Sequence, residues 1–429
     1  MTPYPEYKAT NLPWLPQIPA HWELVKIREL FTERNQKVSD KEYAPLSVSK
    51  GGVVPQISTV AKTDNGDNRK LVKVGDFVIN SRSDRKGSSG ISAYDGSVSL
   101  INLVLKPRND YNRGYLHYLL KSIPFIEEYY KNGRGIVADL WTTRYSEMKT
   151  VSIPTPTAAE QEQIVRYLDS MTAKINKLIR AKKKICDLIF EEILLLANEH
   201  INNAKLPRYR LKNVIKLVGD QIIRKDETLY TPIGVLNRGR GIFHKQQLLG
   251  KDLGDSEFFN VSPGDMIFSG QFAWEGAVAI LQETERGCIA SHRYPLARAI
   301  NRELLKLEYL WAFFQTKYGD MLLNIHSHGA AGRNRPLNIM RLLSEAIPIP
   351  PLEEQKKIEK LFLQLKEAKE LAAKYSAQLQ EYKNSLIASV VTGQVDVRNI
   401  QVEEFDPADL ITETDDDPAE DETSEESEE

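Results

Sequence analysis

The sequence predicts an α+β protein built twice over: two related mixed α/β domains separated by two long antiparallel coiled-coil helices. Three observations carry this. An internal repeat with an offset of 194 residues aligns one half of the chain with the other. Two stretches of roughly 40 residues carry apolar side chains at spacings of 3 and 4, the seam of a coiled coil. Each stretch follows the same Pro-rich junction, "IPTPTAAEQEQI" from Ile153 and "IPIPPLEEQKKI" from Ile347.

The order of matches justifies the repeat. At the offset of 194, Pro154 meets Pro348, Pro156 meets Pro350, Glu160 meets Glu354, Gln161 meets Gln355 and Ile164 meets Ile358. Upstream, with small gaps, "YAPL" matches "YTPI", "VGDFVINS" matches "PGDMIFSG" and "YLHYLL" matches "YLWAFF", in the same order in both copies. The boundaries then fall at 1–156 for the first α/β domain, 157–202 for the first helix, 203–349 for the second domain, 350–397 for the second helix and 398–429 for an acidic tail.

Within the first domain, "LVKVGDFVIN" and "SVSLINLVLKP" have strand character, with a Gly-Asp turn in the first. "RGYLHYLLKSIPFIEEYY" has helical apolar spacing. The second domain offers "PGDMIFSG", "GAVAIL", "CIASHRYPLARAI" and then the helical "LEYLWAFFQTKYGDMLL". The first long helix opens on "TAAE", a capping box of Thr157 and Glu160. Its seam reads Ile164, Leu168, Met171, Ile175 and Leu178, continuing through Ile185, Ile189 and Leu196. The second helix follows Pro350 and Pro351, as prolines suit a helix start, and its seam runs Ile358, Leu361, Leu365, Ala368, Ala372, Tyr375 and Leu379. A helix of about 40 residues is about 60 Å long and cannot cover its own stripe, so the two are expected to pair. If they run antiparallel, the domains lie at opposite ends of a rod, related by an approximate two-fold axis.

Composition narrows the function. No apolar run approaches the roughly 20 residues of a membrane helix, and the first residues lack the pattern of a secretory signal. Two cysteines far apart, Cys186 and Cys288, fit a reducing cytosol and exclude a disulfide framework or a Cys-based zinc site. A cytoplasmic location and no membrane partner are therefore expected. The net charge of −2 hides an asymmetry: from Glu403 onward there are 15 Asp and Glu and no Lys or Arg. Without them the first 402 residues carry about +13. Such an acidic block is expected to be disordered. The basic body is either an ordinary solvated surface or the footprint of a polyanion.

The common catalytic motifs are missing. There is no P-loop, no H-E-x-x-H, no amino-methyltransferase motif and no Gly-rich loop for S-adenosylmethionine. "GRGIFH" from Gly239 has His244 where a dinucleotide fingerprint needs its third glycine. "HSH" at 326–328 lacks a carboxylate or cysteine companion and reads as polar surface rather than a metal site. Asp76, Asp84 and Lys86 loosely imitate the carboxylate–carboxylate–lysine set of magnesium nucleases. The second copy keeps Asp265 but has no lysine, so the Gly-Asp pair reads as a turn entering a strand.

The paired "IPTPTAAEQEQI" and "IPIPPLEEQKKI" resemble the signature of the specificity (S) subunits of type I restriction–modification systems. "YKATNLPWLPQIPAHWELVKIREL" at 7–30 looks like that family's opening segment and "SLIASVVTGQVDVR" at 385–398 like its closing one. The resemblance spans about residues 7–400. The acidic tail departs from it, and so does the second unit, which opens on "PRYRLKNVIKL" without the Ile-Pro-x-His-Trp element. The resemblance implies that each domain is a target-recognition domain reading half of a bipartite, asymmetric double-stranded DNA site, with the helices setting the spacing. It implies two modification subunits that carry S-adenosylmethionine and methylate adenine, and two restriction subunits that use ATP and magnesium in the cutting complex. It implies no catalytic residue, metal or cofactor on this chain.

Candidate DNA contacts follow from chemistry, since Arg and Lys read guanine, Asn and Gln read adenine, and polar side chains hold phosphates. In the first domain these are Lys50, then Arg82, Arg85 and Lys86, then Arg134 and Arg144 with Trp141, on three loops. In the second they are Arg238 and Arg240, then Gln271, then Arg333, Asn334 and Arg335. Each could equally be a solvated surface charge. Two other readings stay open on the residues alone: a diverged DNA-modifying enzyme, and a coiled-coil adaptor that binds only protein.

Overall fold

A computed structural model describes residues 2–56, 66–108, 111–135, 141–329 and 335–410. These form two compact units, one from residues up to 180 together with those from 374 onward, the other from residues 181–373. The first carries strands β1 (Glu23–Lys26), β2 (Phe31–Glu33), β3 (Phe77–Asn80), β4 (Ser89–Ile91), β5 (Asn102–Pro107) and β6 (Ser152–Thr155), and helices α1 (Arg113–Leu120), α2 (Ile123–Lys131) and α3 (Tyr145–Met148). The long helix α4 spans Ala158–Ile201. The second unit carries β7 (Arg208–Arg210), β8 (Ile215–Val218), β9 (Met266–Phe268), β10 (Val278–Ile280), β11 (Leu296–Ala299) and β12 (Ala346–Pro348), and helices α5 (Leu307–Gln315), α6 (Lys317–Ile325) and α7 (Ile339–Leu342). The second long helix, α8, spans Leu352–Val391.

The two units share one topology. In the first, a four-stranded antiparallel sheet has the order β4-β3-β5-β2; in the second the order is β10-β9-β11-β8, the same arrangement. Each unit adds a two-stranded pair beside its junction with the long helix, β1 with β6 and β7 with β12. Entry into β3 and β9 is set by a turn whose third residue is glycine, Gly75 at φ 90° and Gly264 at φ 84°. Only glycine takes that backbone shape without strain. The aspartate that follows is locked. Arg34 donates to both oxygens of Asp76 at 2.7 and 3.1 Å, and Arg298 does the same to Asp265 at 2.6 and 2.7 Å. Both carboxylates are buried. The turn reading of the Gly-Asp pair thus has a clear cause, an ion pair that ties the start of the strand to another segment of its own unit.

The helical segment read as continuous in each domain is broken in two at equivalent positions. Ser122 caps α2 and Thr316 caps α6. Their hydroxyls donate to the Leu119 and Phe313 carbonyls at 2.7 Å each, competing with the helical ladder.

The long helices run antiparallel. The start of α4, with Ile164 and Leu168, shares the first unit's core with the end of α8, through Leu386, Val390 and Val391. The end of α4, with Ile193 and Ala197, shares the second unit's core with the start of α8, through Ile358 and Leu365. Ile175 is buried as well, while Met171, Leu361 and Leu379 are half-buried. Leu178, Ile185 and Tyr375 correct the expected seam: they are 52%, 48% and 45% exposed. Past Ile175 the helix has left the core of its unit, and one facing helix covers only part of an apolar side chain.

The Glu-Gln motif fastens each helix to its own domain. Gln355 is fully buried; its Oε1 accepts from the Lys306 N–H at 2.8 Å and its Nε2 donates to the Leu304 and Pro350 carbonyls at 2.9 and 2.8 Å. Gln161 accepts from the Asn112 N–H at 3.4 Å and donates to the Pro156 carbonyl at 2.9 Å. Tyr115 and Tyr309 complete the equivalence, donating to the Pro154 and Pro348 carbonyls. The glutamates differ. Glu160 is buried and accepts from Tyr4 Oη at 2.6 Å and contacts His21 Nε2 at 2.9 Å. Glu354 lies at the surface and pairs with Lys357 at 2.8 Å. The second unit lacks the opening segment that supplies Tyr4 and His21.

After α8 the chain turns at Gly393, φ 76°, where an added Cβ would lie 2.3 Å from Pro19. It then follows α4. The expected tail boundary at 398 is therefore displaced: residues up to Leu410 pack along the helix. The acidic residues beyond Leu410 lie outside the described residues.

Candidate nucleic-acid interface

Three loops converge in the first unit, at the end of β3, ahead of β5 and ahead of α3. Backbone hydrogen bonds join them: Ser81 N–H donates to the Ile101 carbonyl at 3.2 Å, and Thr143 N–H donates to the Ser81 carbonyl at 3.0 Å. Arg134 and Thr142 exchange two backbone bonds of 2.9 Å, and Ser83 N–H donates to the Trp141 carbonyl at 3.2 Å. The Trp141 indole N–H is tied to the Tyr130 carbonyl at 2.7 Å, and Tyr130 Oη to the Asn80 carbonyl at 2.8 Å. The loops are thus held by main chain and aromatic anchors, which leaves their charged side chains outward.

This junction brings Arg82 beside the segment that carries Arg134 and Arg144, two loops far apart in sequence. Arg82 and Arg144 line a shallow depression with Asn35, Lys70 and Lys149. Lys70 is partly neutralised by Glu33 at 3.3 Å. Arg134, 84% exposed, lies 3.6 Å from Glu147. Lys86 is paired with Glu127 at 2.6 Å, and Arg85 is exposed on the same loop. Lys50 sits elsewhere, at the tip of the hairpin formed by Leu46–Ser49 and Gly52–Pro55. Its carbonyl accepts from Lys121 Nζ at 2.8 Å. Burial, with Lys383 nearby, brings Lys121 down to about 8.

The second unit repeats the two main-chain bonds at the centre of the junction. Gly270 N–H donates to the Arg293 carbonyl and Leu337 N–H donates to the Gly270 carbonyl, both at 2.7 Å. Gln271 opens onto a cleft lined also by Lys245, His292, Arg293 and Tyr294. Arg335 lies over the Trp274 ring at 4.7 Å. Arg238, at φ 53°, and Arg240 form the turn of the hairpin Ile233–Leu236 and Gly241–His244. Arg238 N–H donates to the Glu275 carbonyl at 2.9 Å, and Arg240 is held by the Asn237 carbonyl at 3.2 Å. Arg238 and Arg335 therefore both touch the loop 270–276 that carries Gln271. Arg333 and Asn334 lie outside the described residues.

Sequence reasoning missed Lys149, Lys245, His292 and Arg293. Arg293 was hidden inside a run read as strand, although the repeat sets it opposite Ile101. Nothing at the junctions has the geometry of a metal centre, and among the described residues no group of three His, Cys, Asp or Glu could hold one. His326 of "HSH" corrects the polar-surface reading: it is buried and has a carboxylate companion, contacting Glu345 at 2.8 Å. Among the described residues, no helix is long and apolar enough to cross a membrane.

Comparison with known proteins points the same way. The family model of the type I restriction modification DNA specificity domain matches twice, over residues 19–185 and 205–381. The chain is 22% identical to a putative type I restriction enzyme MjaX specificity subunit of Methanocaldococcus jannaschii, over 89% of this chain and 95% of that protein. A solved chain from work on assembly and conformational transition of the type I R-M system superposes with TM-score 0.56 at 14% identity, covering 88% of this chain and 99% of that one. The HsdS subunit from Thermoanaerobacter tengcongensis aligns at TM-score 0.42 and 15% identity, covering 88% of this chain and 98% of that one.

Proposed function

The chain belongs to the type I restriction–modification DNA specificity family, and on that premise we propose that its two three-loop junctions each read half of a bipartite, asymmetric DNA target. As a specificity subunit it is a recognition component and not a catalyst. The observation that carries the reading is the equivalence of the junctions. Their main-chain bonds coincide at Ser81 and Gly270, while the side chains around them differ, Arg82, Arg144 and Lys149 against Gln271, His292 and Arg293. A common frame with different donors suits two half-sites of different sequence, since base edges are told apart by donor and acceptor pattern. Arg134 and Arg335 suit phosphate, which positions without specifying.

The paired helices fix the separation of the half-sites. Two modification subunits, holding S-adenosylmethionine and methylating adenine, and two restriction subunits, using ATP and magnesium, complete the assembly. The test is methylation of a randomised duplex library by the chain reconstituted with its modification subunit. Arg82→Ala is expected to relax one half of the methylated motif and Arg293→Ala the other. Motifs unchanged in both variants would remove the junctions as readers, and turnover by the chain alone would remove the recognition assignment.

A further inference from the structure

We propose that the acidic segment from Glu403 to Leu410 is a competitor of DNA carried by the chain itself, occupying a phosphate-binding face of α4. This rests on the DNA-reading assignment above. Leading into it, Val397 is fully buried and Ile400 and Val402 pack on the first unit's core. Gln163 donates to the Val397 and Ile400 carbonyls at 3.0 and 2.8 Å. Beyond Val402 polar side chains of α4 hold the segment. Ser170 Oγ donates to the Glu403 carbonyl at 3.1 Å, and Asn176 Nδ2 donates to the Asp409 and Leu410 carbonyls at 3.0 and 3.3 Å. Lys174 pairs with Glu403 at 2.9 Å and Arg180 with Asp409.

Four side chains of the helix, a hydroxyl, an amide, an ammonium and a guanidinium, thus donate here to acceptors of the segment. Those are the groups that hold a sugar–phosphate backbone. The set is particular to α4: the repeat places Gln364, Ala368, Glu370 and Lys374 at the matching positions of α8. Lys177, exposed one turn from Lys174, extends the same charge. The hold is releasable. Lys174 and Glu403 are 42% and 75% exposed, and exposed pairs are worth little once salt screens them. Yet the segment is tethered, so its local concentration is high however dilute the protein. Eleven further carboxylates follow Leu410 in sequence, with no basic residue among them. Non-specific duplex, which gains only phosphate contacts, loses most to such a competitor. A cognate site gains base contacts elsewhere and still binds.

The experiment compares the full chain with a chain ending at Val402 and with the double variant Glu403→Gln, Asp409→Asn, in fluorescence titrations of a duplex of scrambled sequence and of the methylated motif's own sequence. Ending at Val402 keeps the apolar anchors, and the double variant covers the case in which truncation unfolds the unit. Truncation is expected to tighten scrambled-duplex binding by at least about tenfold near 0.1 M salt and to steepen the log–log salt slope by about two, one phosphate each for Lys174 and Arg180. The double variant moves the same way by less. Adding Lys174→Gln and Arg180→Gln to the truncated chain should remove the gain. Equal scrambled-duplex binding by all chains that bind the motif overturns the proposal alone, as does a gain that survives those two substitutions. Failure of every chain to bind either duplex overturns the DNA-reading assignment with it.

Discussion

Replacing Gln355 by alanine tests how the domains are fastened to their helices. The side chain is fully buried and satisfies three main-chain groups, one N–H of Lys306 and the carbonyls of Leu304 and Pro350. Alanine leaves all three without that partner. A buried group left unpaired costs about 1–3 kcal/mol, and a carbonyl with a second lone pair sits at the low end. The expected loss is therefore about 3–4 kcal/mol. Gln161 makes two such bonds, one stretched to 3.4 Å, so its alanine variant should lose only about 1–2 kcal/mol. Urea unfolding gives the totals, and hydrogen exchange read by mass spectrometry assigns each loss to its own unit. A Gln355→Ala protein within about 0.5 kcal/mol of wild type, or a costlier Gln161→Ala, would refute the bond-by-bond reasoning.

Three more outcomes follow from the same geometry. Leu168→Asp and Leu365→Asp should each cost several kcal/mol, because they bury a lone charge. Leu178→Asp, on an exposed position, should stay within about 0.5 kcal/mol, and equal melting shifts would contradict the seam. Burial, and secondarily Lys121, depresses His117 to about 4. The unfolded chain therefore takes up a proton first, and stability falls as pH drops from about 6.5 to about 4, by at most about 3 kcal/mol. His117→Gln should flatten that part of the profile, and an unaltered profile would rule the histidine out. Asp76→Asn should lower stability by about 2 kcal/mol through the charge-assisted bonds to Arg34. Magnesium and chelator should leave the melting temperature of that variant and of wild type where they were; a magnesium-dependent shift in wild type alone would revive the metal reading.

Regular features were legible in the sequence because the chain writes them twice. The 194-residue offset relates Tyr115 to Tyr309, Gln161 to Gln355 and Ser122 to Thr316, and the members of each pair make matching bonds. The helix starts at Ala158 and Leu352 lie within two residues of the boundaries that capping and proline chemistry set. The helix breaks were missed: apolar spacing continues across Ser122 and Thr316, although Pro124 just after Ser122 is a helix-start signal that the sequence offers. Leu178 was misread because periodicity reports which way a side chain faces but not what stands opposite it. The candidate site was legible in part. Arg82 and Arg144 belong to loops that composition marks as polar, whereas their meeting depends on main-chain bonds between segments some 60 residues apart. Lys149 and Arg293 had no local signal at all. Glu160 and Glu354 look alike in sequence, and only the presence of Tyr4 and His21 separates a buried acceptor from a surface charge.

The closure of the first unit by Leu386, Val390, Val391 and Val397 bears on how the protein is made. Among the described residues the second unit comes from one continuous stretch, residues 181–373, which is available once the ribosome has passed it. The first unit, though synthesised earlier, waits for the last helical turns of α8 before Trp22 and Leu168 are covered. Birth order and folding order are reversed, and the nascent chain carries an unfinished apolar surface for most of its synthesis. A premature stop near residue 380 would spare the domain encoded second and ruin the one encoded first.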